Sequence, residues 1–448
     1  MAPLTYMELL RGNRSFRNLL AGQVVSELGN WFNFIAVLGL VRAVTGAAPE
    51  ATAVLVVLRF APFALLAPVA GALADRWSRR AVMIWTDLAR AVLALGFLFI
   101  SAADELWIAY ACTAALTLVS ALFEGARNGA MPNVAGARGL LAANALMFSS
   151  RFLLMAVGSA LGGAASDLFG YRVAFFVNAL SFVVSAYSIW LIPEAETRSP
   201  EGAAALAAGH RRLLGGVWED VRDGFRYVAG HRLVAALLVV NILWAVGGGA
   251  LNLIYERVGS VVFAGQGGPE GDRGVAFVFT AVGAGLFLGM MLARRVGAHA
   301  ELRGRVAGFI GWGIIAHGLL FALAGLMPTF WLATLMIFLS RLVVGVEFAV
   351  QDTLLLRLLP DNLRGRVVTT DRAAEIGVVS LSGLAAGWLL TGPLTPRSLT
   401  VLSGLLSAAP GLLWLLLFAT KKLSLPARRQ DDDEEERDAE QTALASAG

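Results

Sequence analysis

The chain has 448 residues, of which 57% are hydrophobic and 15% charged, with a mean hydropathy of +0.69. That is more apolar surface than a water-soluble globule can hide. Its 36 basic and 32 acidic residues are unevenly spread, with 12 charges in 194–232 and 11 in 428–440. The single cysteine, Cys112, excludes a disulfide framework and a cysteine metal cluster. A pI near 9.6 would point to nucleic acid in a soluble protein. Here the basic residues sit in short segments between apolar runs, so no nucleic-acid partner is expected.

Those runs have the length that crosses about 30 Å of hydrocarbon at 1.5 Å per residue. In chain order they cover 17–42, 51–74, 81–101, 105–127, 140–165 and 172–192, then 233–257, 274–294, 305–326, 330–356, 367–391 and 397–420. The predicted fold class is an all-α membrane protein of twelve transmembrane helices in two six-helix bundles, 17–192 and 233–420. A short N-terminal segment (1–16), a linker (193–232) and a tail (421–448) complete the domain plan. With the N-terminus placed in the cytoplasm, 23 Lys/Arg fall on that side before the tail is counted. Five (Arg42, Arg172, Arg257, Arg273 and Arg397) fall on the other, an asymmetry that predicts cytoplasmic termini and linker.

Within the linker, Leu214, Val217, Val221, Phe225 and Val228 recur at helical steps, which predicts an amphipathic helix interrupted by Gly215, Gly216 and Gly224. The tail, rich in Asp and Glu, has no core-forming pattern and is expected to be disordered. The halves echo each other weakly: 121–133 aligns with 349–362, pairing Glu124 with Asp352 and Pro132 with Pro360 at the end of the fourth span of each.

The most specific string is Gly71-Ala-Leu-Ala-Asp75-Arg76-Trp-Ser-Arg79-Arg80, between spans two and three. It resembles the signature loop of the major facilitator superfamily, and the resemblance extends over the whole chain from about residue 17 to 420. FRNLLAGQVVSELGNWFNFIAV in span one, ANALMFSSRFLLMAVGSALGG in span five and PDNLRGRV before span eleven resemble the branch of enterobactin-type siderophore and macrolide exporters. The resemblance implies that Gly71, Asp75, Arg76, Arg79 and Arg80 belong to a cytoplasmic gate, that spans one, four, seven and ten line a central cavity, and that the protein works as a monomer. The corresponding second-half string, Gly289 to Arg295, lacks the aspartate, and span five carries Gly158-Ser159 where antiporters of the family have Gly-Pro.

Lysine occurs only at 421 and 422, so the chain has no GxxxxGK phosphate loop. The four histidines show no metal-ligand spacing and no nucleophile elbow is present, so neither an enzyme, a cofactor nor a metal is expected. Transport would then run on an ion gradient or on the substrate's own. Proton coupling needs an ionisable group inside the membrane. Glu27 lies about ten residues into span one, with Gln23 and Asn30 on its face, and is the predicted coupling residue. The alternative is a permanent structural pair with Arg151 of span five.

Arg341 and Glu347 of span ten, together with Asn241 of span seven, are further candidates for the substrate cavity. Arg151 and Arg341 favour an anion, Glu27 and Glu347 a cation, and the sign stays open. The Gly247-Gly248-Gly249 run predicts either a broken helix that exposes backbone to substrate or close packing through small residues. Gly158/Gly162, Gly285/Gly289 and Gly383/Gly387 are read as packing seams. Asp87 with Arg90, Glu124 with Arg127, and Asp371 with Arg372 and Glu375 are candidate gate-associated pairs.

The expected function is a proton-driven antiporter of the cell inner membrane. Its expected partners are the lipid bilayer, protons and an amphipathic small molecule of siderophore or multidrug type, which it exports. Uptake, lysolipid movement, and a nontransporting receptor or scaffold acting through the linker and tail are the alternatives.

Overall fold

The computed structural model describes residues 4–74, 77–197, 222, 224 and 226–424. Its helices, in chain order, are α1 (Tyr6–Gly12), α2 (Arg14–Thr45), α3 (Pro49–Ala74), α4 (Arg79–Gly96), α5 (Leu106–Phe169), α6 (Tyr171–Trp190), α7 (Arg232–Gly248), α8 (Leu251–Arg257), α9 (Gly271–Leu302), α10 (Val306–Leu326), α11 (Phe330–Leu358), α12 (Asp361–Leu390) and α13 (Pro396–Ala419). Among the described residues ten segments are long and apolar enough to span a bilayer. One of these, Ala103–Phe169, holds two predicted spans in a single unbroken assignment. The fold sends the chain back at Gly136, whose φ of 70° is a left-handed conformation that a side chain would strain. With these two limbs counted separately and α3 in the place of the second span, all twelve predicted spans are present.

Short polar devices fix the ends. Before the first span lies an amphipathic turn, α1, that the apolar-run reading did not include. Thr5 and Glu8 form its capping box, and the backbone N–H and hydroxyl of Thr5 hold the Glu8 carboxyl below its usual range. Asn13 caps α2 through Phe16 N and donates to Val134 O at 2.7 Å, tying the N-terminus to α5. At the other end of α2, Gly46 closes the helix in the left-handed region (φ 64°).

The linker is largely outside the described residues, and so are Leu214, Val217, Val221 and Phe225 of the predicted amphipathic helix, as well as the tail beyond residue 424. The described stretch 226–230 is helical, and Tyr227 Oη donates to Leu358 O at 3.2 Å.

The apolar side chains sort into three main cores, and their placement defines how the halves meet. We call the end that carries α1, the start of α7 and the end of α13 the linker end, and its opposite the far end. At the far end one core draws on both halves, with Phe34, Ile35 and Leu38 of α2 beside Leu253 and Ile254 of α8 and Val278 and Phe279 of α9. Toward the linker end the cores are separate. Phe16, Met83 and Phe123 belong to the first half, and Leu237, Ile310 and Trp414 to the second. Large apolar residues such as Leu180, Leu416 and Trp388 stay exposed on the outside, as a lipid-facing surface requires.

Small residues let the spans approach. A Cβ on Gly162 would lie 2.8 Å from the Phe32 Cα, and one on Gly345 would lie 3.1 Å from the Gly289 Cα. The three predicted glycine seams are therefore close helix contacts, and that of Gly383 and Gly387 faces Val57 and Ala53 of α3 across the two halves. Cys112 packs against Gly96.

Candidate functional site

A cavity of about 340 Å³ opens within the first half. Its wall comes from α2 to α5 with Ile376 of α12, so spans one to five build it, and of the predicted set of one, four, seven and ten only one and four contribute. One face of α2 supplies Gln23, Glu27, Asn30 and Phe34, as the steps of three and four require. Arg151, half-exposed to this space, shares the wall with Glu124 and Arg127.

The charges there are connected in an order the sequence did not show. Arg151 Nη2 pairs with Glu124 Oε1 at 3.4 Å, so it does not lock Glu27. Glu124 also holds Arg127 at 3.8 Å, and Arg127 Nη1 donates to Gln23 Oε1 at 2.9 Å. Gln23 in turn donates to Met147 O at 3.0 Å. Glu27 accepts a long hydrogen bond of 3.5 Å from Asn30 Nδ2, and among the described residues it has no cation within ion-pair distance. Glu124 and Arg127, read as gate-associated, thus form part of the cavity wall. Arg90 touches the same wall but is buried: it pairs with Asp87 and lies between the rings of Phe123 and Phe182, 4.2 and 4.5 Å away. Asp87 and Arg90 are an internal pair of the first half.

Arg59 of α3 was missed by the reading of motifs, although it is a solitary charge in the run from Ala51 to Ala74. Its guanidinium stacks 4.2 Å from the Phe34 ring centroid and 5.4 Å from that of Trp31. The backbone carbonyl of Arg59 accepts from Thr117 Oγ1 at 3.3 Å, which docks α3 on α5.

The second half is arranged differently. Asn241, Arg341 and Glu347, expected in the cavity, do not line it. Asn241 donates to Asp371 Oδ2 at 3.0 Å and accepts from Gln351, closing a chain across α7, α11 and α12. Arg341 is 4% exposed, donates to Ser340 Oγ at 3.0 Å and sits 5.5 Å from the Phe321 ring. Ser340 donates to His317 O, and Trp244 Nε1 donates to His317 Nε2 at 3.1 Å, which places the His317 proton on Nδ1. Glu347 is buried against Gly313, and among the described residues its Oε1 has no hydrogen-bond partner.

The broken-helix expectation at Gly247 to Gly249 is met in shape, with α7 ending at Gly248, but its carbonyls are not offered to a ligand. Ser382 and Ser403 hydroxyls take up Val246 O and Gly247 O at 2.5 and 2.6 Å. Close packing is the better account of that run.

Of the loop motif, Asp75 and Arg76 lie outside the described residues, and Gly71 is in the last turn of α3. Arg79 Nη1 donates to Gly129 O at 2.6 Å, and Arg80 donates to Trp190 O at the end of α6. Both bind carbonyls of the first half, where cations complement helix termini. Arg372 bridges Glu375 at 2.8 Å and Asp352 at 3.5 Å. The echo between halves now has a physical form: Glu124 and Asp352 each pair with an arginine of the following span, Arg151 and Arg372.

A second charged site, also missed, fastens the far end. Arg42 of α2 reaches across to Glu256 of α8 at 3.1 Å and to Asp272 of α9. Glu256 is fully buried and also lies 2.9 Å from Arg257 Nε and 2.8 Å from Ser260 Oγ. Arg257 Nη1 donates back to Ala47 O at 2.7 Å, and Arg273 pairs with Asp167 at 2.5 Å. Three of these groups, Arg42, Arg257 and Arg273, had entered the sequence reading only as the sparse side of the positive-inside count. The signal available was the placing of Glu256-Arg257 and Asp272-Arg273 at span ends, where unpaired charge is costly.

Two bundles of membrane-length helices that share a core at one end and part at the other, with a charged cavity in one of them, define a polytopic helical membrane protein. The chain belongs to the Major Facilitator Superfamily, whose family model matches residues 19–316. It is 30% identical to the MFS-type transporter YfiS of Bacillus subtilis (strain 168) over 185 residues, 41% of this chain and 44% of that one. It is 26% identical to the MFS-type transporter Rv0037c of Mycobacterium tuberculosis (strain ATCC 25618 / H37Rv) over 346 residues, 71% of this chain and 74% of that one. For YfiS and YvqJ of Bacillus subtilis the alignments span 44% and 53% of the relative, about half its length. The fold is shared with the crystal structure of nucleoside transporter NupG at a TM-score of 0.66 and 12% identity, covering 90% of this chain and 99% of that one. It is also shared with a POT family transporter in complex with thioalcohol conjugated peptide, at a TM-score of 0.69 and 11% identity over 91% and 96% of the two chains.

Proposed function

We propose that the protein is a secondary transporter of the cell inner membrane, a proton-coupled exporter of an amphipathic small molecule that works by alternating access as a monomer. The observation that carries this reading is the cavity itself. Polar α2 residues and arginines face apolar Leu55 and Phe60 across a space of small-molecule size, and Glu27 stands on that wall without an ion-pair partner. Taking the linker end as cytoplasmic, the shared far-end core and the Arg42 network describe an outside-closed state. Exchange with an inside-closed state would break that network and bring the loop of Asp75 and the arginines into play as the opposing gate.

Siderophores and macrolide-like drugs are the cargo classes to test first. Everted membrane vesicles holding wild type or Glu27→Gln are energised, then challenged with a siderophore and with a lipophilic cationic drug. Cargo-dependent proton movement by the wild type, lost in Glu27→Gln, is the expected result. Absence of any movement with either cargo, insertion being confirmed, overturns proton-coupled export of these classes. It would favour lysolipid movement or a scaffold acting through the linker and tail.

A further inference from the structure

We propose that the first-half cavity binds a planar organic anion, an aromatic carboxylate or its oxyanion equivalent, with Arg59 as its anchor. The inference deepens the transport reading by naming the class of cargo, and it rests on that reading only for its physiological meaning.

The argument begins with what each arginine of the wall has left to give. Arg90 is matched by Asp87, and Arg127 and Arg151 share the single carboxylate of Glu124. Arg59 has no contact partner: among the described residues its guanidinium makes no hydrogen bond and no ion pair, only the two ring contacts, and Glu27 acts on it through space alone. Stacking occupies a face of the guanidinium and leaves its in-plane N–H groups free. That is the geometry in which arginine receives a carboxylate through two parallel bonds.

Charge bookkeeping agrees. Four guanidinium groups stand against the carboxylates of Glu27, Glu124 and Asp87, one positive charge in excess within low-dielectric surroundings. Glu27, the carboxylate a cationic ligand would need, already lies in the field of Arg59, Arg127 and Arg151. A cation entering there is repelled by three groups to gain one. The apolar part of the ligand has its own surface in Phe34, Leu55 and Phe60, and the volume of about 340 Å³ suits a fused or single aromatic ring system.

The test uses the full chain in nanodiscs and three probes of one shape: naphthoate, methyl naphthoate and naphthylmethylammonium, followed by calorimetry. Wild type is expected to bind naphthoate about tenfold or more tightly than the ester, and the ammonium most weakly. Arg59→Gln should bring naphthoate and ester to within about twofold, and Arg59→Lys should keep part of the preference. Glu27→Gln should tighten naphthoate by about threefold or more and leave the ester unmoved.

Equal binding of naphthoate and ester by wild type overturns the proposal, as does a preference for the ammonium. So does an unchanged preference in folded Arg59→Gln; should that variant not fold, the wild-type and Glu27→Gln probe series decides alone. Selective anion binding with no proton-linked movement in vesicles would remove the transport reading and leave this one standing. Proton-linked movement of the cationic drug alone would do the reverse.

Discussion

Both halves of the molecule carry charged and polar side chains at membrane depth, yet they use them in opposite ways. In the first half Glu27, Arg59, Arg127 and Arg151 face an open cavity and keep hydrogen-bonding capacity unspent. In the second half Asn241, Gln351 and Asp371 bond to one another, Arg341 to Ser340, and Trp244 to His317, all within packed helices. An intramembrane polar group is therefore not by itself a ligand-binding group. The distinction lies in whether its remaining donors and acceptors point at space or at protein. Substitutions in the second half should act on stability, and those in the first half on binding.

The largest stability effect is expected where the polar chain is tightest. Asn241→Leu strands Asp371 Oδ2 and the Gln351 amide in a packed interior. With about 1–3 kcal/mol for each buried group left unpaired, the loss should be about 2–4 kcal/mol. Thermal unfolding in detergent, followed by tryptophan fluorescence, would register it as a clear fall in midpoint. An unchanged midpoint would mean that water reaches this chain, and the contrast between halves would fail.

Next comes the fastener that holds the halves in this arrangement. Arg42→Gln removes the cross-half cation from buried Glu256 and from Asp272, while Arg257 and Ser260 continue to serve Glu256. The cost should be about 2–3 kcal/mol, below the 3–5 kcal/mol of a carboxylate losing its sole partner. Because the lost contact joins the halves, the loss should appear as opening at the far end. Spin labels at Glu50→Cys and Gln266→Cys, in a Cys112→Ser background, should show a longer or broader distance distribution in the variant. The same distribution in both proteins would show that the apolar core alone keeps the far end shut.

The positions of the spans were legible because a run of about 20 apolar residues has one stable way to cross a bilayer. The face of α2 that carries Gln23, Glu27 and Asn30 was legible from helical spacing. Spacing says which side chains share a face but not what covers that face, and so Asn241, Arg341 and Glu347 were expected in a cavity they do not line. Arg59 escaped notice because a lone charge has no period and the rings that receive it, Phe34 and Trp31, belong to another helix. The Arg42 network was out of reach for a similar reason: its partners are 214 and 230 residues away, a distance no local pattern reports.

Two carboxyls sharpen the contrast at a smaller scale. Glu347 is 6% exposed and has an oxygen without a partner among the described residues, whereas Glu27 looks into the cavity. Glu347→Gln replaces a group whose ionised form has no partner by a neutral one of the same shape, and should raise stability by about 1 kcal/mol. Glu27→Gln should change stability by less than about 0.5 kcal/mol, because Glu27 makes one long hydrogen bond and no ion pair among the described residues. Cargo-dependent proton movement should respond in the reverse order, lost with Glu27→Gln and kept with Glu347→Gln. The opposite pattern would move proton coupling into the second half.

The smallest effect is expected in the pair of echoing bridges, and it separates the halves most finely. Glu124 holds Arg151 and Arg127, and Asp352 holds Arg372, each at 3.4 Å or more and each partly open to solvent. Such pairs contribute about 0.2–1 kcal/mol, so Glu124→Gln and Asp352→Asn should lower thermal stability slightly and by similar amounts. Their consequences for binding should nevertheless differ. Glu124→Gln releases two guanidinium groups into the cavity and should tighten an aromatic carboxylate, in the same sense as Glu27→Gln and by less, because Glu27 acts on Arg59 through space whereas Glu124 acts on Arg127 and Arg151. Asp352→Asn changes a bridge that does not line the cavity and should leave the affinity where it was. Equal shifts from the two variants would mean that charge acts on the ligand through the whole field of the protein, and that the cavity's own wall has no privileged part in choosing an anion.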